Sequence, residues 1–82
     1  MFRPKRLSET IYEWSQLTAP QQTVVIEVHA KMLGVDIDVL TRIFNLGNPR
    51  IVIVIKKNRI NQCRVHADSV DVMKLLIRNY AK

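Results

Sequence analysis

The chain has 82 residues, enough for one domain with a small core, and its 48% apolar content argues against disorder. The longest purely apolar run, Ile51 to Ile55, is far short of the roughly 20 residues that span a membrane, and the opening MFRPKRLSET lacks the apolar segment of a signal peptide. Cys63 is the only cysteine, so no disulfide forms within the chain, and a reducing, cytoplasmic setting is expected.

Residues 1–6 form a basic arm, with Arg3, Lys5 and Arg6 around Pro4. Such an arm either follows a phosphate backbone or frays in solvent. A first helix is expected from Ser8, an N-cap residue, with Glu9 well placed against the helix dipole. Leu7, Ile11, Trp14 and Leu17 fall on one face of it, and Trp14 is the expected anchor of the core. Thr18-Ala-Pro-Gln21 has the form of a capping box and opens a second helix that runs to about Leu33. Val25, Val28, Met32 and Leu33 lie at helical spacing, and Val24-Val25-Ile26 widens the apolar face. Gly34 breaks the pattern where a reversal needs positive φ. Asp36 caps a third helix, with Val39, Leu40, Ile43 and Leu46 on one face, and Gly47-Asn48-Pro49 ends it.

Residues 50–65, RIVIVIKKNRINQCRV, predict a β-hairpin. The β-branched run Ile51 to Ile55 favours extended chain, and Asn58 suits positive φ in the polar tip Lys56 to Arg59. A strand apolar on both faces is normally covered on both sides. That cover is expected from a second copy, hence a homodimer, or from N-terminal helices on one face and the C-terminal helix on the other. The last helix, 69–82, begins near Asp68 or Ser69 and turns Val70, Met73, Leu76, Ile77 and Tyr80 to the core. Its Lys74, Arg78 and Lys82 form a ridge. The expected fold is therefore one α+β domain, 1–82, with three N-terminal helices, a hairpin and a C-terminal helix.

Within residues 19–47, Ala30-Lys-Met-Leu33-Gly34-Val35, followed by Leu40 and Ile43, resembles the helix-turn-helix of phage-repressor and Cro-type DNA-binding proteins. Ala30 matches that family's small residue, Gly34 its turn glycine, and Leu33, Val35, Leu40 and Ile43 its buried positions. The resemblance implies that the second helix of the pair enters the major groove, and that the hairpin is a wing. Asp36, Ile37, Asp38, Thr41, Arg42 and Asn45 then face outward. Thr41, Arg42 and Asn45 are the base-contact candidates, Arg42 suited to guanine and Asn45 to adenine. Two features depart from the pattern: His29 stands where an apolar residue is usual, and two aspartates open the reading helix.

The net charge of +6 is unevenly spread: residues 39–67 carry Arg42, Arg50, Lys56, Lys57, Arg59 and Arg64 with no acid between them. Arg50, Lys56, Lys57, Arg59 and Arg64 are the phosphate-contact candidates. The function expected is sequence-specific binding of duplex DNA by a small regulator of transcription, a homodimer on a two-fold-related site. Two alternatives stand beside it. One is an accessory or inhibitory protein-interaction module that uses the Ile51–Ile55 strand edge, or offers its basic surface to an acidic partner. The other is an RNA-binding domain, disfavoured because the strands lack stacking aromatics. No enzyme activity, metal or cofactor is expected. Two glycines 13 positions apart make no phosphate loop, no nucleophile has an identifiable base, and Cys63, His66 and His29 fall short of a zinc site.

Overall fold

The computed structural model describes residues 8–80. Strand β1 (Ser8–Glu13) leads through a single 3-10 turn (Trp14–Gln16) into helices α1 (Ala19–Leu33) and α2 (Ile37–Gly47). Strands β2 (Arg50–Lys56) and β3 (Arg59–Val65) and helix α3 (Ala67–Tyr80) complete the chain. The sheet is antiparallel in the order β1-β2-β3.

This overturns the expected three N-terminal helices: the segment from Ser8 is a strand, and only two helices precede the hairpin. Thr10, Ile11 and Tyr12 are β-branched or aromatic and suit extended chain. The deciding partner lies some forty residues away, since Ser8 to Glu13 pair in register with Ile55 to Arg50. Trp14 and Leu17 are buried, but Ile11 is 49% exposed, so no continuous helical face existed. β2 thereby becomes the central strand. Its Ile51–Ile55 segment is paired along both sides, and an interaction module docking on that edge has no edge to use.

The register sorts the sheet into two faces. Ile51 and Ile53 are fully buried in one core with Trp14, Leu17, Val25, Ile26, Leu40, Ile43, Phe44 and Met73. Tyr12, Ile55, Ile60, Cys63 and Val65 pack against that core, so α1, α2 and α3 all cover this one face. Val52 and Val54 point the other way and lie outside that core, yet they are only 2% and 6% exposed. Their cover comes from the edge strands. Glu9 on β1 and Arg64 on β3 approach to 3.6 Å across the central strand, Glu9 standing beside Val54 and Arg64 beside Val52. The C-terminal helix, expected on the second face, instead packs on the same face as α1 and α2.

Several local signals set the helices. Thr18 N–H donates to Gln21 Oε1 at 2.9 Å, and Gln21 N–H donates to Thr18 Oγ1 at 3.4 Å, closing the capping box. Gly34 has φ 66°, and its N–H and that of Val35 both donate to the Ala30 carbonyl. Ala30 is buried, but Leu33, assigned to a buried motif position, is half exposed. Gly47 acts through its size rather than through φ. A Cβ there would stand 2.8 Å from Leu76 and 2.9 Å from Met73, so glycine lets the end of α2 approach α3. The left-handed residue is Asn48, at φ 43°, followed by the buried Pro49.

Candidate nucleic-acid interface

The hairpin turns through Lys57 and Asn58, both at positive φ (52° and 62°), between the paired residues Lys56 and Arg59. Positive φ at both central residues is the type I′ geometry whose twist matches that of the strands. Beyond the turn Ile60 pairs with Ile55 and Gln62 with Val54, so Asn61 is an extra, bulged residue on β3. The bulge shifts the alternation. Ile60, Cys63 and Val65 face the helices, while Arg59, Gln62 and Arg64 face away.

Pairing therefore brings four of the five phosphate candidates, Arg50, Lys56, Arg59 and Arg64, to the helix-free side of the sheet, and the fifth, Lys57, sits in the turn. The same side carries Glu9 and Glu13 from β1. Glu9 pairs with Arg64, and Arg50 reaches Asp68 at the start of α3, 3.7 Å away. Both ion pairs are exposed, where such contacts are weak and give way to a better anion. Lys56, Lys57 and Arg59 have no ion-pair partner among the described residues. Ser8 lies opposite Ile55, so the covalent attachment of the basic arm is at the hairpin-tip end of the sheet. The arm itself lies outside the described residues.

The base-contact candidates on α2 are less available. Asn45 is exposed, but its Oδ1 accepts from the indole Nε1–H of the buried Trp14 at 2.8 Å. A bidentate adenine contact needs that oxygen. Trp14 is held further by its backbone N–H, which donates to the Pro49 carbonyl, and by Phe44, whose ring meets it edge-on at 4.9 Å. Thr41 donates its hydroxyl to the Ile37 carbonyl at 2.7 Å, within its own helix. Asp36 Oδ1 accepts from Asp38 N–H at 2.8 Å, so carboxylates occupy the helix end that would meet a phosphate. Of the three, Arg42 alone has no hydrogen-bond or ion-pair partner among the described residues. It is exposed at the rim of a cleft of about 310 Å³ between α2 and α3, floored by Val39, Ile43, Leu46 and Tyr80.

The two sets are not brought together. Asn45 is fixed to Trp14, beside the Glu13–Arg50 end of the sheet, whereas the hairpin tip lies at the opposite end of β2, about 20 Å away at the usual strand rise. Gln62 is the residue sequence reasoning missed. It stands between Arg59 and Arg64 on the basic face, and the available signal was the polar-apolar alternation of β3, with Gln62 at a polar position.

The residues weighed as metal ligands serve the fold. His29 is buried against Phe44, with Nδ1 2.8 Å from the Val25 carbonyl, and His66 Nδ1 accepts from Asp68 N–H at the start of α3. Cys63 is half buried, and burial pushes its thiol pKa up, away from reactivity. No three His, Cys, Asp or Glu among the described residues are placed to hold a metal ion, and no helix among them is long and apolar enough to cross a membrane. Comparison with known proteins finds no matching family model, curated protein or solved structure.

Proposed function

We propose that this protein binds duplex DNA through the helix-free face of its sheet, with the hairpin tip gripping phosphates. The observation that carries this reading is the hairpin register, which gathers Arg50, Lys56, Arg59 and Arg64 on one side with Lys57 at its end. A two-stranded ribbon fits a major groove as a helix does, and some DNA-binding proteins read with strands. In this arrangement Lys56, Lys57 and Arg59 neutralise phosphates, while Gln62 and Arg64 face base edges. The regulatory, sequence-specific role expected from the helix-turn-helix resemblance then rests on the sheet. Cys63 without a partner cysteine suits a reducing, cytoplasmic setting for such a regulator.

A second reading keeps α2 as the reading element, and Arg42, exposed and without an ion-pair partner among the described residues, is what favours it. Anisotropy titrations of labelled random and selected duplexes at two salt concentrations separate the two. Under the sheet reading, Arg59→Ala with Lys57→Ala weakens binding on every duplex and lowers the salt slope by about two. Gln62→Ala reduces the preference for the selected sequence, and Arg42→Ala changes little. If Arg42→Ala erases the preference while Gln62→Ala does not, α2 reads the bases. If neither duplex binds at low salt, the DNA assignment is wrong.

A further inference from the structure

The outer side of α1 carries an exposed row, Val24, Val28 and Met32, that no helix among the described residues covers, spaced by four and so aligned along one ridge of the helix. Met32 is 71% exposed, more than any other large apolar side chain described. Beside the row runs a groove of about 330 Å³, whose far wall is the outer strand β3 from Ile60 through Asn61 and Gln62 to Cys63. Knob and groove thus sit next to each other on one chain. We propose that this surface is where two copies of the protein associate, α1 against α1, about a two-fold axis through Val28.

Three observations select a second copy as the occupant. In an antiparallel crossing centred on Val28, Met32 of each copy lies over Val24 of the other, so each knob enters the partner's groove. α1 carries one acid and one base, Glu27 and Lys31, both exposed and on the same flank of the row. The two-fold sets Glu27 of each copy beside Lys31 of the other, so the rim is self-complementary, whereas two basic sheet faces repel. The bulge at Asn61 interrupts β3, which argues against adding a strand to that edge and for helix packing alongside it. A chain of this size gains from the extra buried apolar surface. This proposal does not rest on the DNA reading, since it is argued from α1 on the helix-covered side, and of the basic face it reaches only Gln62 at the β3 edge.

Sedimentation equilibrium of the full chain up to about 100 µM tests it, a range that resolves micromolar association. The wild type sediments as a dimer, and Val28→Glu and Met32→Glu each raise the dissociation constant at least about tenfold. Leu75→Glu, at an apolar position on α3 whose exposure lies between those of Val28 and Met32, leaves it unchanged. Because Val28 lies on the proposed axis, Val28→Cys in a Cys63→Ser background oxidises to a covalent dimer, and Leu75→Cys in that background does not. A monomeric wild type overturns the proposal, as does a dimer that survives Val28→Glu or dissociates with Leu75→Glu. If Val28→Glu disturbs the fold, the cysteine pair decides, and failure to cross-link counts against the proposal. Unaltered DNA binding by a monomeric protein would sink the interface and leave the DNA assignment standing.

Discussion

The two faces of β2 are both β-branched and apolar at their centres, and they differ in what covers them. Ile51 and Ile53 lie under three helices in the main core, whereas Val52 and Val54 are closed off by the side chains of two neighbouring strands. Both sets are almost inaccessible to water. On the inner face burial comes from a packed layer that fixes the fold. On the outer face it comes from an exposed ion pair and flanking residues, which leaves that side ionic at its surface and able to rearrange. The packed layer is therefore concentrated on one side of a single strand, and the charged side chains proposed to bind DNA on the other.

The largest effect expected from this division is on folding. Ile53→Ala removes a side chain from the centre of the core and should destabilise by about 3 kcal/mol in urea unfolding. Val52→Ala should destabilise by about 1–2 kcal/mol, because its cover can settle into the space left. Equal losses would mean that the outer face is packed as tightly as the inner one, and the contrast would fail.

A smaller effect separates α2 from the sheet. Asn45→Ala leaves the indole N–H of a buried tryptophan without its acceptor and should lower stability by about 1–2 kcal/mol. Under the sheet reading the affinity of the folded protein for duplex DNA stays where it was. A change in sequence preference instead would return Asn45 to base reading and make its bond to Trp14 incidental.

What could be read from the sequence follows the reach of each interaction. The Thr18–Gln21 box, the left-handed Gly34, the Asp36 cap and positive φ at Asn58 depend on partners within a few residues, and each is where its local chemistry places it. The features missed depend on distant partners. Ser8 to Glu13 pass for a helix start until β2 is present to pair with them. Asn45 passes for a reader until Trp14, 31 residues before it, takes its oxygen. Gly47 passes for a helix stop because nothing nearby in sequence announces the approach of Met73 and Leu76. The basic cluster was visible as composition, but its confinement to one face depends on a register that the Asn61 bulge resets.

The turn allows folding and binding to be pulled apart. Lys57 is a non-glycine residue at positive φ, a conformation that Asn and Gly adopt at lower cost in a type I′ turn. Replacing Lys57-Asn58 by Asn-Gly should therefore raise stability by about 0.5–1 kcal/mol while weakening DNA binding and lowering the salt slope by about one. A variant that melts higher and binds less would show Lys57 retained against the preference of the turn. A variant that melts higher and binds equally would remove the tip from the interface.

The smallest expected effect bears most directly on the outer face. Glu9 competes with any phosphate for Arg64, and both side chains are more than half exposed, so their pairing contributes a few tenths of a kcal/mol at most. Glu9→Gln should leave the melting temperature within about a degree, because the amide still spans β2 and shades Val52 and Val54. The same substitution takes a negative charge off the binding face and frees Arg64. Duplex affinity at low salt should rise about two- to threefold, with one further unit of salt slope. That gain should vanish when Arg64 is also replaced by alanine. Were it to persist without Arg64, Glu9 would act only through the general field of the face, and the ion pair across β2 would be a cover for the valines with no part in binding.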